Sequence, residues 1–259
     1  MKTIMLLSKE KSKTAKALVK HCEFTHNTMT PKPHAIINYG LQGKQRMLWY
    51  KEHGQEMEGI PIINDWVQIS RCNMVKLAES GGIPVPETHN NIKSVPEDQQ
   101  FDFVIKQNWA NIPEEMRNVT KNTAPKKGEY LQRYMSNKTY EIRVAGFLWE
   151  DLGNWLVWKK KNVDLNSKYR VTAFPFNDIV LKICIKHTEE ILKKLGLLFG
   201  SANFIFDNNF KRLEFLEINT CPKFLTSSKV HYQKYFEELK MILTETTKEG
   251  VAKWISKLL

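Results

Sequence analysis

The chain has 259 residues, of which 42% are hydrophobic and 11% aromatic, and it carries a formal net charge of +11. That length and apolar content suit one large or two modest domains with a buried core, and exclude a disordered chain. The excess of Lys and Arg is spread along the sequence, with Lys159, Lys160 and Lys161 as the tight cluster. It fits a solvated lysine-rich surface, or an acidic or phosphate-rich partner such as a nucleotide or nucleic acid.

No apolar run approaches the roughly 18 residues that span a bilayer, so no membrane partner is expected. The start MKTIMLLSKEKSKTAK has too few apolar positions for a signal segment, and a cytoplasmic protein is expected. Cys22, Cys72, Cys184 and Cys221 lack paired spacing, which argues for reduced thiols and against a disulfide framework or zinc site.

In chain order, TIMLL reads as a strand, Ser12 to Phe24 as a helix, and AIINY (35–39) and IPII (60–63) as further strands. Short apolar runs alternating with helical patterns predict a small open α/β unit over residues 1–70. It lacks a G-x-G-x-x-G dinucleotide fingerprint. A helical stripe through Ile69, Val75, Leu77 and Ala78 ends at Gly81-Gly82, with Pro84 and Pro86 preventing continuation. FDFVIK (101–106) alternates as a strand that ends in Lys106, and the polar stretch from Gln107 to Gly128 reads as a long loop or lid. EYLQRYM and YEIRVAGFLW are strand-like, and NWLVWKKK is an antiparallel neighbour for the latter. A helix from Asp178 to Leu195 precedes Gly196; NFIF and LEFLEIN then form a hairpin around Asp207-Asn208-Asn209. An amphipathic helix from about Tyr232 closes the chain.

Chemistry concentrates in LEFLEINTCP. Residues two apart on a strand share a face, so Glu217 and Asn219 project together and offer hard oxygen ligands for Mg²⁺. Taken alone, the pair is equally the outward polar face of an edge strand.

Three further segments widen the pattern: Arg71 to Thr88 ending in GIPVPET, the strand-terminal Lys106, and LQRYMSNKTYEIRV. In this order, with NFIFDNNFKRLEFLEINTCP, they resemble the ATP-grasp superfamily, nearest to ligases of the glutathione synthetase and ribosomal-protein glutamate ligase type. The resemblance spans about Ile60 to Phe224. It implies an α+β ATP-grasp fold behind a small N-terminal α/β domain, with divisions at 1–70, 71–134 and 135–259. It also implies ATP and Mg²⁺ as cofactors. Arg71 falls where the family has a basic residue on the nucleotide phosphates, usually lysine, and Lys106 matches the lysine on the α- and β-phosphates. Gln132, Arg133, Tyr134 and Met135 match the hinge whose backbone reads the adenine edge, and Glu141 the acidic residue on the ribose hydroxyls. Arg143, the arginine of a D-I-R-V pattern, is implied to steady the transferring phosphoryl group. Asn203, Glu217 and Asn219 are implied as the metal ligands.

The sequence departs from the family in two places. The usual G-V-D-F-I reads Ser201-Ala202-Asn203-Phe204-Ile205 here, so an amide replaces the first metal-binding carboxylate, with Asp207 four residues on as a possible substitute. The stretch KQNWANIPEEMRNVTKN lacks the glycines of the family's lid, leaving Trp109 and Asn111 as residues that close over the nucleotide. On the acceptor side, Lys159, Lys160, Lys161 and Arg170 match basic residues that meet the acidic substrate, with a solvated hairpin as the alternative. His187 reads as a core histidine, and Cys221 as incidental.

The expected activity is an ATP- and Mg²⁺-dependent carboxylate–amine ligase, acting on a carboxylate substrate and an amine acceptor through an acyl phosphate. The competing reading is a protein that binds nucleic acid or another acidic partner on the same scaffold, with weak or no ligase activity.

Overall fold

The computed structural model describes residues 2–65, 70–108, 117–119, 125–135, 138–161, 179–207, 212–222 and 229–259. Their helices and three four-stranded sheets form an α+β fold.

The first sheet is parallel, with strands β1 (Ile4–Ser8), β2 (Thr25–His26), β3 (Ala35–Tyr39) and β4 (Ile62–Ile63) in the order β2-β1-β3-β4. The predicted AIINY strand has the observed limits of β3. Every residue of β1 and β3 is buried, because the sheet is covered on both sides. Ile4, Leu6, Ala35, Ile37 and Tyr39 enter one core, and Met5, Leu7 and Ile36 another. Helix α1 (Lys13–Cys22) begins under Ser12, whose side chain accepts from the Ala15 amide at 3.2 Å. Helix α2 (Gly43–His53) was not foreseen: it buries no residue and exposes Met47 and Leu48, so it has no apolar stripe to read.

Helix α3 (Arg71–Ser80) ends at Gly81-Gly82 as expected, and the Ile83 amide caps the Ala78 carbonyl at 3.1 Å. The second sheet is antiparallel, β5-β8-β6-β7, from β5 (Thr88–His89), β6 (Phe103–Gln107), β7 (Arg117–Asn118) and β8 (Glu129–Arg133). Strand β7 lies inside the stretch read as a loop or lid. Val95, Phe103, Ile105, Val119 and Leu131 form this sheet's own small core.

The third sheet is antiparallel, β10-β9-β11-β12, from β9 (Lys138–Phe147), β10 (Leu156–Lys161), β11 (Phe199–Asp207) and β12 (Leu213–Asn219). One face carries Ile142, Val144, Ala202, Phe204 and Phe215 into a core with α3 and α4 (Ile179–Lys194). The other carries Ala145, Phe147 and Phe199 into a core shared with the first sheet and α5 (Lys229–Glu245). Aromatic rings knit that core: Phe147 lies 5.4 Å from Tyr232 and Tyr39 lies 5.8 Å from Phe199. Such pairs contribute about 0.5–1.5 kcal/mol each beyond burial. Its continuity makes the N-terminal sheet and the C-terminal helices one packed body. The closing helix is two helices, because Thr247 starts α6 (Lys248–Leu258) by accepting from the Gly250 amide at 3.1 Å.

Among the described residues no helix is long and apolar enough to cross a membrane. Among the described residues no cysteine forms a disulfide, and burial pushes the Cys22 thiol up to about 12.

Candidate active site

The site begins with a bulge. Opposite β11, Asn203 pairs with Glu217 but Phe204 pairs with Phe215, so Leu216 is an extra residue in β12. Strict alternation would put Phe215 and Glu217 on one face. The bulge instead leaves Phe215 in the α3–α4 core and turns Glu217 beside Asn203 on the opposite face. Arg143 of β9 lies across from Asn203 on β11's other side.

These side chains form one polar chain. Arg143 Nε donates to Asn203 Oδ1 at 2.8 Å, and Asn203 Nδ2 donates to Glu217 Oε1 at 3.1 Å. Arg71 Nε closes the chain as an ion pair 2.9 Å from Glu217 Oε2. Arg71 is the first residue of α3, and a second guanidinium nitrogen donates to the Gln107 carbonyl at 3.2 Å. Arg71 therefore ties the end of β6 to Glu217, bringing the second and third sheets to one place. Asn108 anchors the start of α3, where its carbonyl accepts from the Arg71 amide at 2.9 Å and its Oδ1 from the Cys72 amide at 3.1 Å.

On β6, Lys106 Nζ donates to Gln132 Oε1 at 3.1 Å. Gln132 is 3% exposed, and its Nε2 has no partner among the described residues. A buried orphaned amide is costly and marks a place where a ligand acceptor fits. The hinge amides beyond it are taken: Arg133 N–H donates to the Glu87 carbonyl at 2.9 Å and Tyr134 N–H to the Asp102 carbonyl at 2.7 Å. The Arg133 side chain is held by Glu87, Asp102 and Gln99 and lies over the Phe103 ring. Tyr134 is exposed and Met135 buried.

Glu141 lies two residues before Arg143, across from Ile205 on the same face. Asn219 Oδ1 accepts from the Cys221 amide at 3.0 Å, which fixes its side chain at the end of β12. Ser201 sits opposite Asn219, fully buried, with its hydroxyl unpartnered among the described residues. The first sheet closes this end: Tyr39 donates to the Pro222 carbonyl at 2.6 Å and Gln42 to Thr220. Asn64 links the sheets through Leu198 N and the Phe199 carbonyl at 2.8 and 2.9 Å.

No family model matches the sequence, and no curated protein does. Solved structures do match. The macrocyclase MdnC of Microcystis aeruginosa MRC, bound with precursor peptide MdnA, has TM-score 0.61 and 14% identity over 92% of this chain and 99% of that one. The ATP-grasp ligase PsnB, complexed with a phosphomimetic variant of minimal precursor, Mg and ADP, has TM-score 0.60 and 11% identity over 88% and 93%. The D-alanine–D-alanine ligase of Bacillus anthracis, complexed with ATP, has TM-score 0.60 and 12% identity over 99% of both chains. The chain has the ATP-grasp fold.

Within the ATP-grasp fold, the sequence-derived residues separate into two linked groups. Arg143, Asn203, Glu217 and Arg71 are linked in that order by successive contacts, while Lys106 and Gln132 pair on the neighbouring sheet. Arg170, Trp109 and Asn111 lie outside the described residues, as do the side chains of Asp207, Lys159, Lys160 and Lys161. His187 is not a core residue: it is half-buried in the middle of α4, with Nδ1 3.4 Å from Glu190 Oε2.

Among the described residues no three His, Cys, Asp or Glu side chains gather as a metal group. Glu217 and Asn219 still supply a carboxylate and an amide oxygen, which with phosphate oxygens suffice for one hard cation. The sequence reading missed Asn108, Ser201 and the orphaned amide of Gln132. Ser201 had a signal, since it lies two residues before Asn203 on the same strand.

Proposed function

We propose that the chain is an ATP- and Mg²⁺-dependent carboxylate–amine ligase acting on a peptide. The observation that carries this is the double contact of Arg71, which joins the β6 end beside Lys106 to Glu217. A phosphate chain laid from Lys106 toward Glu217 then meets cations along its length, and Gln132 Nε2 awaits an acceptor on the base side. Glu141 binds the ribose hydroxyls, and the hinge from Gln132 to Met135 holds the base. Glu217 and Asn219 would hold a magnesium ion, which would supply charge neutralisation at the phosphates.

The substrate carboxylate attacks the γ-phosphorus and ADP leaves. An amine then attacks the acyl phosphate carbon, losing one proton, and phosphate departs. Arg143 stabilises the charge on the transferring phosphoryl group, and Arg71 and Lys106 position the nucleotide. Arg170 and the Lys159–Lys161 cluster are assigned to the acidic substrate. The peptide is favoured because MdnC and PsnB are bound to precursor peptides. The net charge of +11 suits an acidic peptide as well as it suits nucleic acid.

The test incubates the protein with ATP and Mg²⁺ and a panel of peptides carrying Asp or Glu with Lys. A ligase releases ADP in a peptide-dependent way and leaves an internally joined peptide lighter by one water. Glu217→Gln stops both. ADP release unchanged by that substitution contradicts the assignment.

A further inference from the structure

We infer that this site takes a single divalent cation with its nucleotide, and that the Arg143–Asn203 contact stands in place of a second. The inference rests on the proposal that the site takes ATP. An amide has one oxygen and one NH₂ group, and both of Asn203's are committed to neighbours of opposite character. Its oxygen receives Arg143 Nε at 2.8 Å, and its NH₂ faces Glu217 Oε1 at 3.1 Å. Swapping oxygen and nitrogen would set donor against donor at Arg143 and acceptor against acceptor at Glu217. The orientation therefore has one solution.

In that orientation Asn203 is a hydrogen-bond relay and not a metal ligand. At only 4% exposure, it has no room to turn elsewhere. Its NH₂ also covers one of the two oxygens of Glu217. What remains for a cation is Glu217 Oε2, now paired with Arg71, and the oxygen of Asn219.

Charge points the same way. Arg71 already pairs with the Glu217 carboxylate while Arg143 is taken up by Asn203, so the carboxylate is neutralised before any ligand arrives and draws a bare divalent cation only weakly. Phosphate oxygens add the negative charge a cation needs. They give the flexible Arg71 side chain a competing anion, which frees Glu217 Oε2 for the cation that arrives with the nucleotide.

The test is electron paramagnetic resonance of Mn²⁺ with the full chain in excess over AMPPNP, paired with calorimetry of AMPPNP binding in Mg²⁺. The expected result is no bound Mn²⁺ without nucleotide, and with it one Mn²⁺ per bound AMPPNP showing a resolved six-line spectrum. Asn203→Asp, which supplies the missing carboxylate, is expected to bind two ions with a dipolar-broadened spectrum. Two coupled ions on the unaltered chain overturn the inference and leave the nucleotide proposal standing. A single ion on Asn203→Asp overturns the role given to Asn203. No AMPPNP binding by calorimetry removes the nucleotide proposal and the inference with it. The count on the unaltered chain decides even if the variant fails to fold.

Discussion

Replacing Glu217 by glutamine isolates the electrostatic link between the second and third sheets. The substitution keeps the shape of the side chain and an oxygen for Asn203 Nδ2, and replaces the charged oxygen facing Arg71 with an NH₂ that cannot accept from it. The pair is neither surface nor core: the Arg71 side chain is 12% exposed and that of Glu217 25%. Exposed pairs contribute about 0–1 kcal/mol, and breaking a buried one costs about 3–5, so about 1–2 kcal/mol is expected here. For a chain of this size that corresponds to a Tm lower by about 2–8 °C. Glu217→Ala also strands Asn203 Nδ2, and roughly 1 kcal/mol more is expected. Thermal and urea denaturation without nucleotide measure both, and a double-mutant cycle with Arg71→Met should return a coupling of the same size. A Glu217→Gln variant as stable as the parent, or more so, would refute the reasoning that Arg71 and Glu217 hold the two sheets together.

Two further outcomes follow from other contacts. A Cβ added at Gly40, where φ is +85°, would lie 2.4 Å from Cys221 Cβ, so Gly40→Ala combines backbone strain with overlap. It should cost roughly 3 kcal/mol by equilibrium unfolding. In a Cys221→Gly background the overlap part is recovered and the backbone part is not. Between the β9–β10 turn and α5, burial and then the hydrogen bond and charge of Glu238 push the Glu150 carboxyl up to about 7, opposed by Asn154 and Lys234. A carboxyl raised on folding stabilises fully below its unfolded value of 4.5 and loses that contribution as pH rises through about 7. The Tm of the parent should therefore fall more between about pH 5 and pH 8 than that of Glu150→Gln; equal slopes would contradict the pairing.

Much of the fold was legible where burial leaves a pattern. The doubly covered strand β3 reads as an unbroken apolar run, and the β11–β12 hairpin reads from its polar turn. Helix α2 was silent because it buries none of its residues, and β2 and β5 are two residues each, too short for periodicity. The break between α5 and α6 depends on one side-chain bond at Thr247 inside an otherwise helical run. In the site, the order of Arg71, Lys106, Arg143, Asn203 and Glu217 along the chain pointed to a common place. The arrangement inside it was not legible. It turns on the Leu216 bulge, which alternation cannot show, and on Arg71 reaching two sheets at once. The weakness at Asn203 was visible as an amide in a carboxylate's position, while its commitment to Arg143 and Glu217 required coordinates.

The most direct test of an ATP site at the Arg71–Glu217 junction is thermal unfolding with ATP plus Mg²⁺, set against ATP alone and Mg²⁺ alone. A ligand held at about 100 times its Kd stabilises by about 2.7 kcal/mol, so the combination should raise the Tm by about 5–11 °C, well beyond either component alone. An unchanged Tm at saturating ATP and Mg²⁺ would contradict the site, and an equal rise with and without Mg²⁺ would contradict the place given to Glu217 and Asn219.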